Sequence, residues 1–134
     1  VTPVGVGSAT ITVSAAATAN YGAASAKAAV TVTKGAQTLK FANQSKKVAF
    51  SKVKKKAQTI AIAKATGGKT AVTYSLAGNA KAKKYLKVNK STGKITVKKG
   101  TPKSTYKATV KATAKASANW KTAARSATVT VKVK

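Results

Sequence analysis

TPKSTYKATVKATAKASANWKTAARSATVTVKVK, residues 101–134, holds two runs of strict alternation. In the first, Tyr106, Ala108, Val110, Ala112 and Ala114 alternate with Lys107, Thr109, Lys111, Thr113 and Lys115. In the second, Ala127, Val129, Val131 and Val133 alternate with Thr128, Thr130, Lys132 and Lys134. Successive side chains of a strand face opposite sides, so each run predicts a strand with one apolar and one wet, cationic face. The stretch also occurs twice. Residues 2–35, TPVGVGSATITVSAAATANYGAASAKAAVTVTKG, align with it without a gap at an offset of 99, with 13 of 34 positions identical. Residues 1–35 are therefore expected to be the C-terminal strand pair of a preceding repeat, and 36–134 a complete domain with the same ending.

Composition narrows the chemistry sharply. The 134 residues include 27 Lys plus Arg and no Asp, Glu, His or Cys. No side-chain carboxylate exists to pair with a lysine, to bind calcium or magnesium, or to serve as a general base. The commonest proton shuttle and the thiolate nucleophile are also missing. An enzyme is thus nearly excluded, and neither a metal nor a cofactor site is expected. Apolar residues make up 43% of the chain, but the large ones are two Phe, four Tyr and one Trp. Its core must rest on Val, Ile, Leu and Ala. The chain starts at Val1 and contains no Met, which reads as a processed product, a fragment or an engineered excerpt. No signal peptide or membrane-spanning run is visible, and no membrane insertion is expected.

In chain order, Ser8 to Ala16 and Ala28 to Thr33 read as strands joined around Asn20 and Tyr21. From Ala36 the chain turns basic and holds 25 of the 27 positive charges. Gln37 to Phe41 and Lys47 to Phe50 read as a split first strand, and Ser51 to Lys56 as a charged loop. Gln58 to Ala63 is expected as a strand with Ile60 and Ile62 on one face, Thr66 to Lys69 as a turn, and Val72 to Leu76 as a strand. Asn79 is a good N-cap for one helical turn ending at Lys84. Short strands at Leu86 to Val88 and Lys94 to Lys98 flank an Asn89 to Gly93 turn. Seven or eight strands in about 100 residues, with turn chemistry between them, predict an all-β immunoglobulin-like β-sandwich. Its expected core comprises Ile60, Ile62, Tyr74, Leu76, Ile95, Val97, Tyr106, Val110, Val129 and Val131.

A family resemblance follows from Leu86-Lys87-Val88-Asn89, Thr92-Gly93-Lys94-Ile95 and Thr105-Tyr106. This series resembles that of bacterial immunoglobulin-like or cadherin-like tandem surface repeats. The resemblance implies an extracellular or cell-surface structural or adhesive module, partnered by copies of itself or adjacent repeats. Without Asp or Glu, the calcium-rigidified linkers of such families do not carry over, nor does an acid-catalysed isopeptide cross-link.

Local motifs add little. Gly68-Lys69-Thr70 resembles the end of a phosphate-binding loop, but Ala63 stands where that loop needs glycine. Ser-x-x-Lys matches at Ser51 and Ser91 arise from the abundance of lysine. Tyr106 is expected to brace the preceding bend through its hydroxyl. Trp120 and its counterpart Tyr21 read either as caps on the sandwich core or as exposed aromatics that stack a sugar or base.

The lysines fall into clusters that read either as a solvated surface or as a polyanion-binding set. That set is Lys52, Lys54, Lys55 and Lys56; Lys81, Lys83 and Lys84; and Lys107, Lys111 and Lys115. A charge this one-sided attracts anionic polymers by field alone. Reading of a specific DNA sequence is disfavoured, since base recognition leans on arginine forks and the chain has only Arg125. Three functional readings remain open. One is a surface repeat that binds anionic cell-surface or extracellular polymers, its first two strands completing a sandwich in another molecule and so able to build a filament. The others are a non-specific nucleic-acid-binding module and an engineered acid-free scaffold.

Overall fold

The computed structural model describes residues 2–134. Among the described residues, nine strands and two short helices follow in order. They are β1 (Gly7–Ala15), β2 (Ala24–Val32), β3 (Gln44–Val48), α1 (Phe50–Lys55), β4 (Gln58–Ile60), β5 (Val72–Ala77), α2 (Ala80–Tyr85), β6 (Leu86–Val88), β7 (Ile95–Val97), β8 (Ser104–Ala114) and β9 (Ala123–Val133). A four-stranded sheet in the order β3-β9-β8-β5 faces a three-stranded sheet in the order β4-β7-β6. Strand β3 runs parallel to β9, and the other pairings in these two sheets are antiparallel. This is the expected all-β immunoglobulin-like sandwich.

The alternation that opened the sequence becomes the inner wall. Tyr106, Ala108, Val110, Ala112 and Ala114 of β8 are buried, as are Ala127, Val129, Val131 and Val133 of β9. Ile95 and Val97 meet them from β7, while Leu76 and Ile60 pack at the margin, only partly buried. Four of these nine β8-β9 positions are alanine, and large side chains such as Leu39, Phe41, Tyr74 and Leu86 fill the core from other elements. Tyr106 donates its hydroxyl hydrogen to the Pro102 carbonyl at 2.9 Å, the brace expected at the entry to β8. Gly93 is held by the same packing. Its φ of +71° is left-handed, and a Cβ there would lie 3.3 Å from the Tyr74 ring.

Three expectations need correction. Ser51 to Lys56 is not a loop, because Phe50–Lys55 is helical and Val53 at its centre is wholly buried. The Phe50-x-x-Val53 spacing puts both apolar groups on the inner side of one turn, and the lysines take the outer side. Phe50 therefore opens a helix instead of closing a strand. Gln37 to Phe41 form no continuous strand; Lys40 makes an isolated bridge to Thr66, while the strand proper starts at Gln44. The strand after α1 stops at Ile60, although Ile62 is still buried. The second helix is as expected. Asn79 Oδ1 accepts the N–H groups of Lys81 and Ala82, at 2.9 and 3.3 Å, and α2 follows it.

The tail forms a separate two-stranded sheet, β1-β2. Its register repeats that of β8-β9: Gly7 opposes Val32 as Tyr106 opposes Val131, and Ala15 opposes Ala24 as Ala114 opposes Ala123. The connecting turn repeats too. Thr18 N–H donates to Tyr21 O at 2.8 Å, and Ser117 N–H donates to Trp120 O at 3.0 Å. The environment differs. Val13 and Tyr21 are 67% and 78% exposed, and the inward-facing set of β8-β9 corresponds here to an uncovered face.

Candidate polyanion-binding surface

The lysines singled out in the sequence occupy three places. Lys52, Lys54 and Lys55 form the last turn of α1, with Lys56 at its C-cap. Lys81, Lys83 and Lys84 lie on α2. Cations near a helix C-terminus meet unpaired carbonyls, which favours Lys52, Lys54 and Lys55 on α1 and Lys83 and Lys84 on α2, whereas Lys81 stands in the first turn. The two helices are tied to one intervening segment, the β7–β8 loop. Gly100 N–H donates to Val53 O at 3.0 Å, and Lys98 N–H donates to Tyr85 O at 2.9 Å. The loop brings Lys98, Lys99 and Lys103 between the helices, three cations that sequence reasoning left out of the set. Lys98 Nζ donates to Lys84 O at 2.7 Å, and Lys103 Nζ lies 5.4 Å from the Phe50 ring. Lys81 Nζ donates to Ser104 Oγ at 3.0 Å and sits 5.5 Å from the Tyr106 ring. These contacts hold the ammonium groups in place without neutralising any of them.

Lys107 and Lys111 lie elsewhere, on the outer face of β8. Register sets Lys107 opposite Thr130, Thr105 opposite Lys132, and Lys132 opposite Lys47. Lys132, expected on the wet face of its strand, therefore joins that face, and Lys47 joins it from β3. Lys115 follows the far end of β8, about 35 Å along the strand from Ser104 at 3.3 Å per residue. Its carbonyl accepts Gln37 Nε2 and Thr70 Oγ1, at 3.1 and 2.7 Å. Helix lysines and β8 lysines thus form separate patches, and Lys115 belongs with neither.

The aromatic pair divides as well. Trp120 is half-buried: Gly35 packs against its ring, where a Cβ would lie 2.8 Å away, and Lys69 Nζ stands 5.9 Å from the ring centroid. Tyr21, in the equivalent turn, has no such cover. The acidity of Tyr106 is shifted. Burial, and secondarily the neighbouring Tyr85 hydroxyl, raise its pKa above the usual phenol value. Among the described residues, no helix is long and apolar enough to cross a membrane.

The two-sheet topology, with its parallel first strand, can be set beside solved structures. Superposition on the protocadherin gammaB7 EC3-6 cis-dimer structure gives a TM-score of 0.56, covering 98% of this chain and 34% of that one at 17% identity. The fold is cadherin-like. Mouse cadherin-23 EC22-24 gives the same TM-score and identity over 98% of this chain and 43% of that one. Drosophila N-cadherin EC1-4 gives 0.51 at 15% identity, covering 87% and 29%. The chain spans well under half the length of each. No family model matches the sequence, and no curated protein matches it.

Proposed function

We propose that the chain is a non-catalytic structural or adhesive module of a bacterial cell surface, one unit and the end of another in a tandem array. The observation that carries this reading is the repetition of the β8-β9 register in β1-β2, turn included, at an offset of 99 residues. A hairpin of that register is two strands of a seven-stranded sandwich. Its apolar face calls for the strands equivalent to β3 to β7, supplied by an adjacent repeat. Strand complementation of this kind uses backbone pairing and alternate side-chain pockets. A second complete copy is a weaker acceptor, because its own β8-β9 already fill the position.

The lysines give the module its second role, attachment to anionic polymers such as teichoic acid, lipopolysaccharide, glycosaminoglycan or extracellular DNA. The basic end formed by α1, α2 and the β7–β8 loop is the strongest patch. Comparison of the full chain with a 36–134 truncation on immobilised heparin, across salt concentration, tests this. Both should bind, with log affinity falling linearly in log salt as counter-ions are released. The truncation should stay folded and lose little affinity. Salt-insensitive binding, or an unfolded truncation, would refute the reading.

A further inference from the structure

The outer edge of β9 is uncovered over part of its length, and the chain's one arginine stands there. Gly35 bridges Trp120, and Gln44 pairs with Val129, so the entering chain keeps an offset of 85 from β9 at both contacts. Between them it bows away, and Lys40 pairs with Thr66 instead. Strand β3 covers only Val129 to Val133, which leaves Ala123 to Ala127 without a neighbour on that side. The bow opens a groove of ≈ 580 Å³ lined by Lys40, Lys64, Arg125 and the edges of Leu39 and Phe41.

The backbone of this edge can bond a ligand. Thr128 N–H points outward, donating to Asn43 Oδ1 at 2.8 Å. In an antiparallel pair, residues of one parity turn both backbone groups outward, so Ala124 and Ser126 do the same. Arg125 is exposed, and no Asp or Glu exists in the chain to meet its guanidinium. The fold does not require arginine here: Ala26 holds the equivalent place in β2.

We propose that this groove receives an extended acidic peptide segment of another protein, added as a strand along Ala123 to Ala127 with a carboxylate opposite Arg125. A second copy of this chain fits less well as occupant, since it has no side-chain carboxylate to set opposite Arg125. A sugar polymer fits less well, since the groove offers no exposed ring to stack on; Phe41 is only 7% exposed. A planar carboxylate matches the guanidinium fork, and Lys40 and Lys64 add flanking charge. The inference is independent of the tandem-repeat reading.

The probe is a fluorescein-labelled peptide of about six residues alternating Glu and Val, a typical strand length, titrated into the full chain. Arg125→Ala should weaken binding at least about tenfold, as loss of a charged hydrogen-bond partner does. Arg125→Lys should recover only part of it, keeping the charge without the fork. Ser126→Pro removes an outward donor and should weaken binding similarly, because an edge position tolerates proline. The paired replacement of Lys107 and Lys111 by Ala, on the outer face, should change affinity little. Saturating peptide should protect the Ala124 and Ser126 amides of the unmodified chain from exchange, an observation that stands even if the proline variant does not fold. No binding, equal loss from the outer-face pair, or unprotected amides with peptide bound would overturn the proposal. So would a heparin oligosaccharide that protects those amides and responds to Arg125→Ala as the peptide does.

Discussion

Replacement of Tyr106 by Phe tests the brace at the start of β8 and its dependence on pH. The ring is 1% exposed and packs edge-on against Tyr85 with centroids 5.5 Å apart. Phenylalanine keeps that packing and removes one hydrogen bond, 2.9 Å long, to the Pro102 carbonyl. Pro102 is itself exposed, so its carbonyl can regain water and the cost stays near the low end, about 1 kcal/mol. In a domain of this size that lowers Tm by about 4–8 °C. The pH dependence has a definite sign. Burial and Tyr85 raise the Tyr106 pKa, so the folded state holds the proton to higher pH than the unfolded state does. The stabilisation is therefore full below the unfolded value of about 10 and is lost as pH rises through the folded one. Loss of lysine charge at high pH acts on both proteins alike and cancels in their difference. Thermal melts of parent and Tyr106→Phe from about pH 7 to about pH 11 should show a gap that narrows at the alkaline end. Equal Tm values at neutral pH, or a gap that widens above pH 10, would refute the reasoning.

Three further outcomes are expected. Val53→Ala should cost about 2 kcal/mol in chemical denaturation, since the side chain is wholly buried; a loop position would tolerate it. Gln37→Ala should cost about 1 to 2 kcal/mol in the same assay, because the buried Gln37 amide donates to Lys121 O at 2.6 Å and accepts from Lys69 N–H at 2.8 Å, while Lys115 O keeps the Thr70 hydroxyl at 2.7 Å. Added salt should raise the melting temperature of the parent chain, since 27 positive side chains have no acidic side-chain partner; the screening length falls from about 30 Å at 0.01 M to about 10 Å at 0.1 M. A melting temperature flat across that range would mean the charges do not strain the fold.

The sequence was most informative where the side-chain period was unbroken. The β8-β9 pair, Tyr106 and the Asn79 cap could all be read because each is local: alternation, a hydroxyl near a bend, a short polar side chain before a helix. α1 was missed because its signal is only two residues, Phe50 and Val53, embedded in lysines that suit a loop equally well. The bow at 36–43 was invisible for a different reason. Nothing in QTLKF says that Lys40 bridges Thr66 instead of β9, and Arg125 beside it reads as one more surface cation until the missing strand is seen. The lysines of each helix stand together in the sequence, but the meeting of the two helices through Gly100 and Lys98 is a tertiary contact with no local trace.

Amide hydrogen exchange, resolved by residue in dilute monomeric chain, tests the central claim that β1-β2 is the edge of another unit while 36–134 folds alone. The two hairpins share register and turn, so local pairing predicts the same protection for both. If the hairpin lacks its sandwich, its amides should exchange as those of a marginal two-stranded sheet. The amides of β8 and β9 should instead open only with the domain, at least about a thousandfold more slowly. Protection in β1-β2 equal to that in β8-β9 would contradict the account.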